Sequence, residues 1–110
     1  MPRAIRVGAL VYQVLHSHEA VQEYTRSNGI DVYGVFQPRL GRVVIECGYP
    51  RSREAKALLH EVVHAIHEGF DLDALKAGEE HYIQVFTDAL LDTLQRNPDL
   101  VAYLTEAPSA

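Results

Sequence analysis

His60-Glu61-Val62-Val63-His64 places two imidazoles four residues apart with a carboxylate between them. On an α-helix, residues four apart are separated by about 40° around the axis and roughly 6 Å along it, so both rings project from one face toward one point. Two nitrogens can then share a zinc ion. Glu61 points to the flank of the pair, where a carboxylate is placed to act on water as a general base rather than to ligate the metal. The pattern is that of zinc-assisted peptide hydrolysis, with His60 and His64 as metal ligands and Glu61 as the catalytic base.

Six His and nine Glu in 110 residues would generate such a pentapeptide by chance in about 3 per cent of shuffled chains, so the pattern carries weight only on a helix. The flanking residues predict one. Ser52 after Pro50 reads as an N-cap, Arg53 to His67 contains neither Gly nor Pro, and Gly69 marks the stop.

A catalytic zinc centre needs a third protein ligand and an open fourth position. His67 shares the helical face but lies about 10 Å along the axis from His60, too far for one ion. The longer zinc-protease motif would want histidine at position 70, where this chain has Phe70. The remaining donors open the next helix: Glu79 and Glu80, with His81 a poorer third. If Ile83, Phe86, Leu90 and Leu94 mark the buried face of that helix, Glu79 lies about 25° from it and Glu80 about 75°. Periodicity alone favours Glu79. Tyr49, His67, His81 and Tyr82 are open candidates for the donor that a developing oxyanion wants.

The elements around the motif follow from local pattern. Ile5 to Leu15, with alternating Val7, Ala9 and Val11, predicts a first strand. His18 to Asn28 predicts a short helix ended by Asn28-Gly29. Ile30 to Gln37 and Arg42 to Cys47 are β-rich runs joined through Pro38 to Gly41, a hairpin whose edge strand could receive an extended peptide. Phe70 to Ala77 reads as a loop, Glu79 to Gln95 as a long amphipathic helix, and Asn97-Pro98 as the start of a short helix to Leu104, with Asn as its cap. Ala107 to Ala110 reads as a frayed tail. The expected fold is α+β: one domain over 1–110, a sheet of about three strands packed on the HExxH helix and a second long helix, and a short C-terminal helix.

Fifteen acidic against ten basic side chains argue against a nucleic-acid partner of the electrostatic type, and no Lys/Arg cluster offsets them. Arg51 and Arg53 read as the solvated start of a helix. No apolar run is long enough to cross a bilayer and no signal-peptide pattern opens the chain, so a cytoplasmic protein without a membrane partner is expected. Cys47 is the single cysteine, with no internal disulfide partner, and reads as a small buried residue on a strand.

Lys56 to Leu104 resembles small phage- and prophage-encoded zinc metallopeptidases, relatives of the ImmA/IrrE-like group. Leu58, Leu59, His60, Glu61, His64, Ala65 and Ile66 match the block "LLHEVVHAI", and Ile83, Leu90, Asn97, Pro98 and Leu100 match the second helix and the "NPDL"-type stretch after it. The resemblance implies a minimal zincin-like domain, a Zn2+ cofactor, a protein or peptide substrate, and Glu80 rather than Glu79 as the third ligand. Gln84 and Thr87 stand where the family has acidic or small residues, a departure from its pattern around the metal. Pro2 to Gly48 shares only the order of elements. The rival expectation is a non-catalytic module in which zinc stabilises a small protein-interaction domain, since structural zinc can supply on the order of 10 kcal/mol of folding free energy.

Overall fold

A computed structural model describes residues 1–74 and 78–106. The stretch expected as one first strand is a hairpin: β1 (Ala4–Val7) and β2 (Leu10–His16) pair antiparallel with Val7 opposite Leu10. Gly8 takes φ 57°, which gives the two-residue connection the positive backbone angle that such tight hairpins require. The reversal changes which residues face inward. Ile5, Val7 and Tyr12 are buried, whereas Val11 is exposed.

Helix α1 (His18–Asn28) begins where the Ser17 hydroxyl accepts from the Ala20 amide and ends at Gly29 in the left-handed conformation, as expected. Strands β3 (Gly34–Gln37) and β4 (Arg42–Ile45) flank a turn of 3-10 helix over Pro38–Leu40. The sheet therefore has four strands rather than about three, in the order β1-β2-β4-β3. β4 runs parallel to β2 and antiparallel to β3, with Gly34 opposite Ile45. Val43 and Ile45 point into the main core, and Val44, on the alternate face, is equally buried on the side where α1 packs against β4.

Helix α2 (Arg51–Gly69) carries the motif. Leu58, Val62, Ala65 and Ile66 recur at helical spacing and join Ile5, Val7, Tyr12, Val43 and Ile45 in one core. The helix starts two residues earlier than the sequence suggests, with Pro50 in the cap position, so Ser52 lies inside the first turn and caps nothing. Its start is anchored rather than merely solvated. The Arg51 guanidinium donates to the Tyr103 carbonyl at 2.6 Å and to the Glu106 carboxylate at 2.7 Å, and sits over the Tyr103 ring. Glu54 pairs with the His16 imidazole at 2.9 Å.

After a turn of 3-10 helix over Leu72–Ala74 come α3 (Glu79–Arg96) and α4 (Pro98–Thr105). Residues 75–77, expected as the end of a loop, and the expected tail 107–110 lie outside the described residues. The packed face of α3 differs from the expected one. Ala89 and Thr93 are its buried residues, Tyr82 and Phe86 are half-buried, and Ile83 is 46 % exposed. At 3.6 residues per turn this rotates the stripe by about 75° from one drawn through Ile83, Phe86, Leu90 and Leu94. Small side chains let the helix approach closely, and the Thr93 hydroxyl meets its need for a partner on the Ala89 carbonyl at 2.8 Å.

Asn97 does not cap α4 with its side chain. Its amide is buried and bridges to the edge of β1, accepting from the Arg6 amide at 2.8 Å and donating to the Arg6 and Thr93 carbonyls at 2.7 Å each. Cys47 lies just beyond β4, half-buried and free, rather than on a strand. Among the described residues no helix is long and apolar enough to cross a membrane.

Candidate metal centre

The core stripe of α2 leaves the opposite helical face to solvent, and His60 and His64 stand on it, both exposed. Glu61 is one step around the helix and 6 % exposed. It is covered by β3: a Cβ on Gly34 would stand 3.3 Å from the Glu61 Cγ. One metal-ligating atom from each of His60, Glu61 and His64 lies within 4.8 Å of the others. The two imidazole rings meet edge to face with centroids 4.9 Å apart, and the His64 ring lies parallel to Phe36 of β3. Phe36 in turn meets Tyr12 edge to face.

His60 and His64 offer two imidazole donors that zinc accepts, and their exposure leaves coordination positions open to a third protein ligand and to water. Burial pushes the Glu61 carboxyl above the usual carboxylate range, and the neighbouring His60 and His64 act against that rise. A carboxylate less well solvated than usual is a stronger base toward a nearby water.

The structure brings His60, Glu61 and His64 together and leaves the other expected ligand outside that group. Glu79 and Glu80 are both exposed in the first turn of α3. Measured from the packed stripe of Tyr82, Phe86, Ala89 and Thr93, Glu79 lies about 50° away and Glu80 about 150°. His67 is held by its neighbours. Its Nδ1 donates to the Val63 carbonyl at 2.9 Å, and its Nε2 is hydrogen-bonded to the Tyr82 hydroxyl. Both side chains are thus engaged with one another, and Tyr49 is packed against Tyr33.

β3 is an edge strand beside this site. The Glu46 amide donates to the Tyr33 carbonyl at 2.8 Å, so in the antiparallel alternation Gly34 and Phe36 turn their N–H and C=O groups to the free edge. Val32, Gly34, Val35, Phe36, His60 and His64 are among the residues lining a groove of about 310 Å3 between that edge and α2. Sequence reasoning did not single out Gly34. A glycine in an otherwise β-branched and aromatic run was the available signal, since it marks a close approach of another group.

The described chain is thus an α+β domain that presents a His-Glu-His group along a sheet edge. Comparison with protein-family models, with curated proteins and with solved structures finds no match.

Proposed function

We propose that this protein is a zinc-dependent peptidase of minimal zincin-like form. The observation that carries the reading is the buried Glu61 carboxylate beside two solvent-facing imidazoles one helical turn apart. A zinc ion held by His60 and His64 supplies acidification of water and polarisation of a peptide carbonyl. Glu61 takes a proton from the attacking water and returns it to the departing amine as the C–N bond breaks, so one residue serves as base and then as acid. Gly34 and Phe36 offer outward backbone groups on which an extended peptide adds as a further strand, which aligns its carbonyls along α2.

The third ligand in this reading is Glu80, on the strength of the family resemblance; the phase of α3 favours Glu79. Zinc titration of Glu79→Gln and Glu80→Gln separates them, because the true ligand's loss weakens zinc binding and the other leaves it unchanged. A structural zinc closes over four protein ligands and gains nothing from an adjoining base. Open imidazoles with Glu61 beside them favour the catalytic reading over a zinc-stabilised interaction module. Glu61→Gln is expected to retain zinc and fold while cleavage of a peptide library by the zinc-loaded protein is lost. Undiminished cleavage would refute the assigned role.

A further inference from the structure

On the other side of Glu61 from His64, a second cavity of about 330 Å3 opens between residues 32–34, which lead into β3, and the first half of α2. It shares Val32, Gly34, His60 and Glu61 with the groove described above, so the two meet at the candidate base. Its remaining walls are Tyr33, Ala57, Arg53 and Lys56. Arg53, Lys56 and His60 follow one another along one helical face, so the cations and the candidate metal-ligating imidazole address the same space. The Arg53 guanidinium lies 4.8 Å over the Tyr33 ring, which restrains it at the cavity wall.

The charge of this cavity runs against that of the chain. The protein carries a formal net charge of −5, yet the cavity has two cations and a single carboxylate, that of Glu61. Among the described residues no carboxylate forms an ion pair with Arg53 or Lys56. Glu54, between them in sequence, is turned away to His16. At a rise of 1.5 Å per residue, Lys56 and Arg53 stand about 6 and 10 Å from His60 along α2. One or two residues of extended peptide, at about 3.3 Å each, together with a short side chain cover that distance.

We infer that this cavity is a specificity pocket for a substrate carboxylate placed one or two residues from the scissile bond. The carboxylate is either an acidic side chain or the free C-terminus of the peptide. This inference rests on the peptidase reading for its meaning, but the pocket can be tested by binding alone.

The probes are short N-acetylated peptides in pairs: Glu against Gln at each internal position with an amidated C-terminus, and a neutral peptide with free against amidated C-terminus. Binding is measured on the Glu61→Gln protein, zinc-loaded and zinc-free, from the amide NMR shifts of Gly34 and Ala57. The carboxylate member of one pair is expected to bind at least about tenfold more tightly, as charge-assisted hydrogen bonds allow. Which pair responds identifies the carboxylate's source. Lys56→Glu is expected to remove that preference, and Arg53→Glu with Lys56→Glu to reverse it, so that the uncharged member of the pair binds more tightly. Lys56 is exposed, so its variant alone keeps the test if the Arg53 change disturbs folding. Equal binding within every pair, or a preference that survives Lys56→Glu in a protein of unchanged melting temperature, overturns the inference. Cleavage by wild type without carboxylate preference removes the pocket and leaves the peptidase. A carboxylate preference in binding without cleavage by the zinc-loaded wild type supports the pocket and removes the peptidase.

Discussion

Replacing Gly34 with alanine tests whether the close approach of β3 to Glu61 sets the position of that carboxyl, the base of the proposed reaction. A methyl group at Gly34 would stand 3.0 Å from the Ile45 Cδ1, 3.2 Å from the Val44 carbonyl oxygen and 3.3 Å from the Glu61 Cγ. At an ordinary strand position Gly→Ala stabilises by about 0.4–1 kcal/mol, because the unfolded chain loses freedom. Here the added methyl is overpacked, and overpacking costs about 1–3 kcal/mol. The backbone carbonyl of the central strand cannot yield, so Ile45 and Glu61 must move. The net expectation is a loss of about 0.5–2 kcal/mol, a fall in melting temperature of roughly 3–10 °C for a domain of this size. Thermal unfolding of the zinc-free protein reads the stability, and peptide cleavage by the zinc-loaded protein reads the displacement of Glu61. Ile45→Val removes the nearest obstructing atom. In the double variant part of the Gly34→Ala loss is expected to return, a coupling of about 0.5–1 kcal/mol. A Gly34→Ala protein that melts at or above wild type, with full activity and no coupling to Ile45→Val, would refute the reasoning.

The buried Glu61 carboxyl has its own pH signature. Burial raises the Glu61 carboxyl in the folded zinc-free protein, so the folded state binds that proton more tightly than the unfolded chain does. Stability then falls as pH rises through the interval between the two values, and the cost is absent below it. Zinc-free Glu61→Gln is therefore expected to melt above wild type at neutral pH and to lose that advantage toward pH 4; calorimetry with chelator showing the reverse trend would contradict it. Asn97→Ala removes three hydrogen bonds of 2.7–2.8 Å from a buried amide and is expected to cost about 2–3 kcal/mol in urea unfolding. A loss below about 0.5 kcal/mol would show that water replaces the bridge. Tyr82→Phe frees His67 without touching the His60–Glu61–His64 group, so kcat is expected to stay within about tenfold of wild type. A loss of a hundredfold or more in kcat with unchanged KM would instead give Tyr82 the oxyanion role.

The His60–Glu61–His64 part of the candidate site was legible because it lies within one element. The spacing of His60, Glu61 and His64 fixes their angular relation once the segment is a helix, and the run without Gly or Pro made it one. The stop at Gly29 and the hairpin through Pro38 to Gly41 are likewise local chemistry. The Gly8 turn was equally local, but the apolar residues on both sides concealed it by continuing one another's pattern.

What the tertiary structure alone decided are the relations between elements. The parallel pairing of β2 with β4 puts β3 at the edge beside α2. The phase of α3 follows contacts of Ala89 and Thr93, residues that a reading weighted by hydrophobicity passes over. Asn97 serves a strand 91 positions away in sequence, and Arg53 and Lys56 line one cavity with His60 and Glu61 only because Val32, Tyr33 and Gly34 pass beside the first half of α2. Periodicity records the surface a segment turns inward on average; it holds no information about which neighbour that surface meets, and the neighbour determines which side chains are covered.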